Sequence, residues 1–232
     1  MKGKIIVISG TDGSGKETQA TRLYNILKSK NINVVMQSFP NYDSQSAGPL
    51  NMYLGGELAK TANEIDAYQA SSLFAVDHFC TIKKYEKFIE DGGILLLDRY
   101  MESNLIHQAG KIEDEVEQER FIKWLLNFEF NALKIPKPDH IIFLDMPPKY
   151  SILLARSRAI LKNGKTQDIH EKDSQHLITA YKNGMKFAER FGWDIVHCVE
   201  NGRILSIEEI GDKVLSVVLS DKNKNKNASF DM

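Results

Sequence analysis

Short apolar runs alternate along this chain with longer stretches in which apolar residues return every third or fourth position. Ile5 to Ile8 is a β-branched run without polar interruption, the mark of a strand buried on both faces. Gly10 to Gly15 breaks it, and Ala20, Leu23, Ile26 and Leu27 then recur at helical spacing, predicting a helix over 16–28. Val34-Val35-Met36 predicts a second strand, closed by Phe39-Pro40. A long helical region is expected over 65–90, through Ala70, Leu73, Phe74 and Asp77, ending at Gly92-Gly93. Ile94 to Leu97 predicts a third strand that stops at Asp98. Val116, Phe121, Leu125 and Phe128 predict a helix over 113–133, terminated by Pro136 and Pro138. His140 to Leu144 and Asp194 to Cys198 read as further strands, and 207–219 as a last helix. Such alternation, with about five buried strands, implies an α/β protein whose parallel sheet is covered by helices.

Composition narrows the function classes. Apolar residues make up 42% of the 232 positions, enough to bury a core without disulfides or a structural metal. Thirty Lys and Arg against 31 Asp and Glu give a net charge of −1. That balance argues against a nucleic-acid or anionic-membrane partner, and no run approaches the roughly 18 apolar residues of a membrane span. Cys80 and Cys198 are far apart, which excludes a zinc or disulfide framework. Two thiols behind a start with only four consecutive apolar residues point to a cytoplasmic protein. Asp221 to Asn227 is polar and low-complexity, so one domain is expected over 1–220 and a frayed tail over 221–232.

The chemistry begins at Gly10-Thr11-Asp12-Gly13-Ser14-Gly15-Lys16, which fits G-x-x-x-x-G-K between a strand and a helix. Glycines let successive N–H groups converge on a phosphate, and the helix N-terminus adds partial positive charge. Lys16 is placed for the β- and γ-phosphates of ATP. The position after it, which in this motif carries a Ser or Thr for Mg²⁺, is Glu17, followed by Thr18. Glu17 reads either as a solvated acid at a helix start or as a carboxylate that holds Mg²⁺, directly or through water. Asp98 ends a central strand, on the edge where open α/β sheets bind ligands, and is the second candidate Mg²⁺ contact. Arg99 beside it suits phosphate oxygens. Asp145 ends the next strand and is read as structural.

Taken with Phe39-Pro40, Leu73-Phe74-Ala75, Asp98-Arg99-Tyr100, Ser103, Gln108 and Leu144-Asp145, in that order, the chain resembles the thymidylate kinases, a group of P-loop nucleoside monophosphate kinases, over about residues 3–218. The resemblance implies a three-layer α/β/α P-loop kinase fold with a five-stranded parallel sheet and a mobile lid over about 156–170. It implies ATP and Mg²⁺ as cofactors, dTMP as substrate and a homodimer, for which an apolar helix face with Val76, Phe79 and Cys80 is one available contact. Gly10 to Thr18 would bind ATP. Asp12 would bind the acceptor's sugar hydroxyl or order its phosphate; Phe74 would stack on thymine, with Phe39 and Pro40 as the wall. Ser103 and Gln108 would face the base, and Arg99 would clamp phosphates between donor and acceptor. Gly13, where some members carry Arg, implies a catalytic cation from the lid, Arg158 among Arg156, Lys162 and Lys165. Asp168 and His170 read either as nucleotide-facing or as the start of a helix.

Four positions depart from the family pattern. Ser9 stands where Glu usually precedes the loop, and Glu17 where Ser or Thr follows the lysine. Tyr42 replaces an Arg for the acceptor phosphate, and His78 an Arg that pairs with the thymine carbonyl. Tyrosine and histidine still donate hydrogen bonds, more weakly than a guanidinium. Tyr42 and His78 keep open a kinase for another nucleoside monophosphate; Glu17 and Ser9 keep open a nucleotide-binding regulator without turnover.

Overall fold

The computed structural model describes residues 3–59, 64–161 and 174–220, the side chains of 155–161 and 174 excepted. Its elements are β1 (Lys4–Ser9), α1 (Lys16–Ser29), β2 (Val34–Ser38), α2 (Gly48–Leu54), α3 (Ala67–Lys83), α4 (Glu86–Glu90), β3 (Ile94–Asp98), α5 (Glu102–His107), α6 (Glu115–Leu126), β4 (His140–Asp145), α7 (Pro148–Leu161), α8 (Ser174–Phe191), β5 (Asp194–His197), β6 (Val199–Glu200), β7 (Arg203–Ile204) and α9 (Ile207–Leu219). The main sheet has the order β2-β3-β1-β4-β5 and all its strand pairs are parallel. A separate hairpin joins β6 to β7 through Asn201-Gly202, both at positive φ, as a two-residue hairpin turn requires.

The apolar strand runs are explained by a helical layer on each side. Ile5 and Val7 of β1 enter one core with Leu95, Leu97, Ile141 and Phe143, while Ile6 and Ile8 enter the other with Leu96, Ile142 and Leu144. The first core is closed by residues such as Phe121 and Leu125 of α6 and Phe187 of α8, the second by Leu23 and Leu27 of α1 and Ile210 and Val214 of α9. A third, smaller cluster packs Leu50, Tyr53 and Leu54 of α2 on Ala70 of α3. This is the three-layer α/β/α arrangement with a five-stranded parallel sheet.

Several expectations need correction. The helix expected over 65–90 is two helices, α3 and α4, because the chain turns at Lys84-Tyr85. The helix expected over 113–133 ends as an α-helix at Leu126 and continues as a π-helix over Asn127–Ala132. Its inward face is Phe121, Ile122, Leu125 and Leu126, then Glu129 and Phe130; Val116 is exposed. Helices α2, α5 and α7 were not expected, and α8 starts at Ser174, just past the segment of Asp168 and His170, one reading of which is the start of a helix. The expected lid overlaps α7, whose backbone runs to Leu161. Lys162, Lys165, Asp168 and His170 lie outside the described residues, as does the tail over 221–232, and so do the side chains of Arg156 and Arg158.

Helix α8 approaches β4 closely at Gly184. A β-carbon there would stand 2.5 Å from Cζ of Phe143, itself fully buried. Helix propensity favours Ala over Gly by about 1 kcal/mol, but overpacking a closed core costs about 1–3 kcal/mol. Gly184→Ala is expected to lower unfolding free energy, by up to about 2 kcal/mol. A urea melt showing a gain in stability would mean that the Phe143 ring moves freely.

Candidate active site

Because the sheet is parallel, the C-terminal ends of β1, β3, β4 and β2 share one edge, and the loops leaving them build the site. Residues 10–15 follow β1. Gly10, Gly13 and Gly15 have φ of 147°, 76° and 89°, values that a β-carbon disfavours. At Gly13 a β-carbon would also meet the Ser151 carbonyl oxygen of α7 at 2.3 Å, so no larger residue fits there. Gly15 leads into α1 without a side-chain cap, leaving the first helical N–H groups for an anion. Lys16 is buried, donates to the Thr11 carbonyl at 2.7 Å and lies 3.8 Å from Asp12 Oδ1. Thr11 Oγ1, Ser14 Oγ and Asp98 Oδ1 are buried around this loop without hydrogen-bond partners among the described residues. Buried polar atoms are normally paired, so these three fit a polar ligand such as a nucleotide's phosphates with a divalent cation. Among the described residues no group of three His, Cys, Asp or Glu gathers as a metal site. Mg²⁺ bound with phosphates needs only one or two carboxylates, and Asp98, with exposed Glu17 electrostatically coupled to it, meets that requirement.

Arg99 follows β3 with φ +68°, a left-handed backbone that is uncommon for a non-glycine residue and recurs at functional sites. The turn carries its guanidinium to Asp12, where Nη2 donates to Oδ1. Burial opposes the charge on Asp12, but Arg99 and Lys16 outweigh it and hold the carboxyl far below the usual range. Burial likewise opposes the Arg99 charge, and Asp12 and Asp98 more than compensate. Burial pushes Asp98 up, against the pull of Lys16 and Arg99.

Beside this cluster lies a cavity. Asp12, Phe39, Pro40, Phe74, His78, Arg99, Ser103 and Gln108, the residues expected to meet the acceptor, all line it. Phe39 enters through a cis Phe39–Pro40 peptide and packs edge-on to His78 at 4.8 Å between ring centroids. Asp77 of α3 holds the loop after β2 by accepting from Asn41 N and Ser46 Oγ, each at 2.8 Å. Gln108 is buried and its Oε1 has no partner among the described residues. Tyr42 is exposed at the rim. Asp145 accepts from Tyr181 at 2.7 Å and pairs with His197 at 2.6 Å, so it ties α8 and β5 to β4.

Comparison with known proteins decides the family. The thymidylate kinase family model matches residues 8–192. The chain belongs to the thymidylate kinase family. Among curated relatives, the thymidylate kinase of Caldicellulosiruptor saccharolyticus is 31% identical, over 94% of this chain and 97% of its own. That of Plasmodium falciparum is 27% identical, over 99% and 96%. A solved structure of thymidylate kinase from Candida albicans has the same fold, with TM-score 0.69 and 19% identity over 96% of this chain and 93% of that one. As a member of the thymidylate kinase family the protein is a kinase, a nucleotide-binding phosphotransferase.

Sequence reasoning missed part of the site. Asn104 and His107 line the cavity from the same short helix as Ser103; the signal was four polar residues on one side of α5. His107 Nδ1 lies 3.2 Å from His176 Nε2 on α8. Glu129 is wholly buried against His78 and Asn104; the signal was an acid four residues after Leu125, on the apolar stripe of α6. Glu102 is wholly buried, and its Oε1 accepts from Tyr100 N at 3.1 Å. Its carboxyl also lies near the Ser9 hydroxyl, without a hydrogen bond of regular geometry from Ser9 Oγ or to Glu102 Oε2.

Burial pushes Glu102 up to about 7. The folded protein then binds a proton at this site that the unfolded chain has already lost, so stability falls as pH rises through about 7. The full effect is about 3 kcal/mol. Glu102→Gln should flatten the pH dependence of urea-unfolding stability between about pH 5 and about pH 8, and should be at least as stable as the parent at the upper end. Parallel pH dependences for parent and variant would exonerate Glu102.

Proposed function

We propose that the protein transfers the γ-phosphoryl group of ATP to dTMP, giving dTDP and ADP. One observation carries this reading. Asp12 of the phosphate loop and Arg99 at the end of β3 are bonded to each other, and both line the acceptor cavity. Donor and acceptor phosphates would therefore meet at one charged pair. Family membership and the named relatives support the same choice of substrate.

In this reading residues Gly10 to Thr18 bind ATP, with Lys16 at its β- and γ-phosphates and Arg99 between donor and acceptor. Mg²⁺, when bound, neutralises charge on the phosphates; Asp98 would hold it, with Glu17 assisting. Phe74 stacks on thymine, Phe39 and Pro40 wall the ring, and His78, Ser103 and Gln108 face its polar edge. Asp12 receives the acceptor's sugar or orders its phosphate. Arg158 on α7 is the proposed lid cation. Catalysis of this kind consists of positioning and charge stabilisation, without a protein nucleophile.

We also propose that the chain works as a homodimer, through the outer face of α3. Val76 and Phe79 are exposed there, beside half-buried Cys80. A cytoplasmic setting agrees with the two free thiols and with the absence, among the described residues, of a helix able to cross a membrane.

An ADP-release assay with ATP, Mg²⁺ and a panel of nucleoside monophosphates should give the highest kcat/KM with dTMP. A higher value for another monophosphate would reassign the acceptor, and no turnover with any would leave a nucleotide-binding regulator. Lys16→Ala should cut turnover by several orders of magnitude in a folded protein, since the lysine serves the transferred group; near-parent turnover would sink the phosphate-loop mechanism. Phe74→Ala should raise the acceptor KM about tenfold or more, because base stacking is worth roughly 1–3 kcal/mol. If the KM for ATP rises instead, Phe74 belongs to the donor side.

A further inference from the structure

Glu129 sits where a core residue belongs. It continues the inward stripe of Phe121, Ile122, Leu125 and Leu126, yet it is a carboxylate with no exposed surface. Its two oxygens have separate partners: Oε2 pairs with His78 Nδ1 at 3.0 Å, and Oε1 accepts from Asn104 Nδ2 at 3.1 Å. Both partners line the acceptor cavity, one from α3 and one from α5. The acid itself lies on the π-helical segment Asn127–Ala132 that continues α6, a local geometry that recurs at functional sites.

A buried carboxylate is expensive to keep, and replacing a buried polar set as a whole by well-packed apolar residues is often neutral or stabilising for a fold. Among the described residues its side-chain bonds reach two side chains of the cavity wall, and those bonds determine what the wall presents. With Glu129 ionised, and so able only to accept, the 3.0 Å contact requires the proton on His78 Nδ1. Nε2 is then the ring nitrogen that remains for the cavity. The ring is pinned by the edge contact to Phe39 and by Tyr100, whose ring centroid lies 5.2 Å away. The arrangement parallels a histidine whose working nitrogen is defined by the hydrogen bond the other nitrogen makes.

We propose that Glu129 is a positioning residue for acceptor recognition: by binding His78 Nδ1 and the Asn104 amide from behind the cavity wall, it sets which polar atoms the wall turns toward the acceptor's base. The proposal rests on the reading of the cavity as the dTMP site and deepens it. Phe74 and the aromatic wall hold any flat base, whereas discrimination among bases depends on the Glu129–His78–Asn104 network. A site whose polar atoms are fixed rejects a base with the wrong donor pattern, because buried groups are then left unpaired.

The test compares Glu129→Gln and Glu129→Asp with the parent. Nitrogen NMR of the imidazoles in the free protein, with His78 assigned by its loss in His78→Asn, is expected to show Nδ1 protonated in the parent and a displaced His78 signal in Glu129→Gln. Steady-state kinetics should show the dTMP KM raised about tenfold in Glu129→Gln, with the ATP KM and kcat within about threefold. The dTMP-to-dCMP ratio of kcat/KM should fall, and Glu129→Asp should restore part of it. An unchanged His78 signal in the variant, or an unprotonated Nδ1 in the parent, overturns the proposal. So does a folded Glu129→Gln protein whose dTMP KM and base preference match the parent's, or one that loses kcat and both affinities alike, the pattern of a merely structural role. If the parent does not phosphorylate dTMP, the functional reading falls, while the imidazole spectra and the variant's effect on whichever monophosphate is turned over still decide the role of Glu129.

Discussion

Strand β1 has no face toward water, and the placement of the site follows from that. Ile5 and Val7 are buried under one helical layer, Ile6 and Ile8 under the other. A strand buried on both faces takes parallel neighbours whose connections cross over through helices, and here those neighbours are β3 and β4. All the strands then point the same way, so the phosphate loop, Asp98-Arg99 and Phe39-Pro40 emerge at one edge although they are up to 89 residues apart in sequence. The position of β1 between strands that follow opposite connections makes this edge a crevice, which is where ligands enter such sheets.

Within the crevice the charges constrain one another. Lys16, Arg99, Asp12 and Asp98 lie within one shielded cluster of two cations and two anions. Each charge is unfavourable to bury alone and acceptable beside its partners. An incoming phosphate adds negative charge to a site whose cations are already aimed and desolvated, so little reorganisation is left for the reaction itself. The Thr11, Ser14 and Asp98 oxygens at the loop fit the same design, since no hydrogen-bond partner for them is found among the described residues.

The acceptor wall is held from behind by hydrogen bonds to two buried acids. Asp77 fastens the loop that carries Phe39, and Glu129 fastens His78 and Asn104. These buried acids share the inward faces of their helices with apolar core residues, so the helices serve both as core and as the mounting of the cavity.

The phosphate loop, the strand ends and the last helix, 207–219, were legible because they depend on local pattern: a β-branched run, a glycine loop, a lysine, an aspartate after four apolar residues. Phe39, Phe74, Arg99, Ser103 and Gln108 were legible as a set only through resemblance to a family, since nothing in their spacing says that they share a cavity. Glu102 was not legible, because the helix that carries it was not expected, and Glu129 showed only its place on the apolar stripe. A glutamate on an expected helix reads as solvated, and only the packing of α3, α5 and α6 against the sheet showed that these two have no water to face. The break between α3 and α4 and the π-helical extension of α6 escaped for the same reason. Hydrophobic periodicity reports which residues prefer burial, a property each residue carries with it. Which buried polar groups meet, and therefore what the cavity recognises, depends on the distances between elements, and those exist only once the chain is packed.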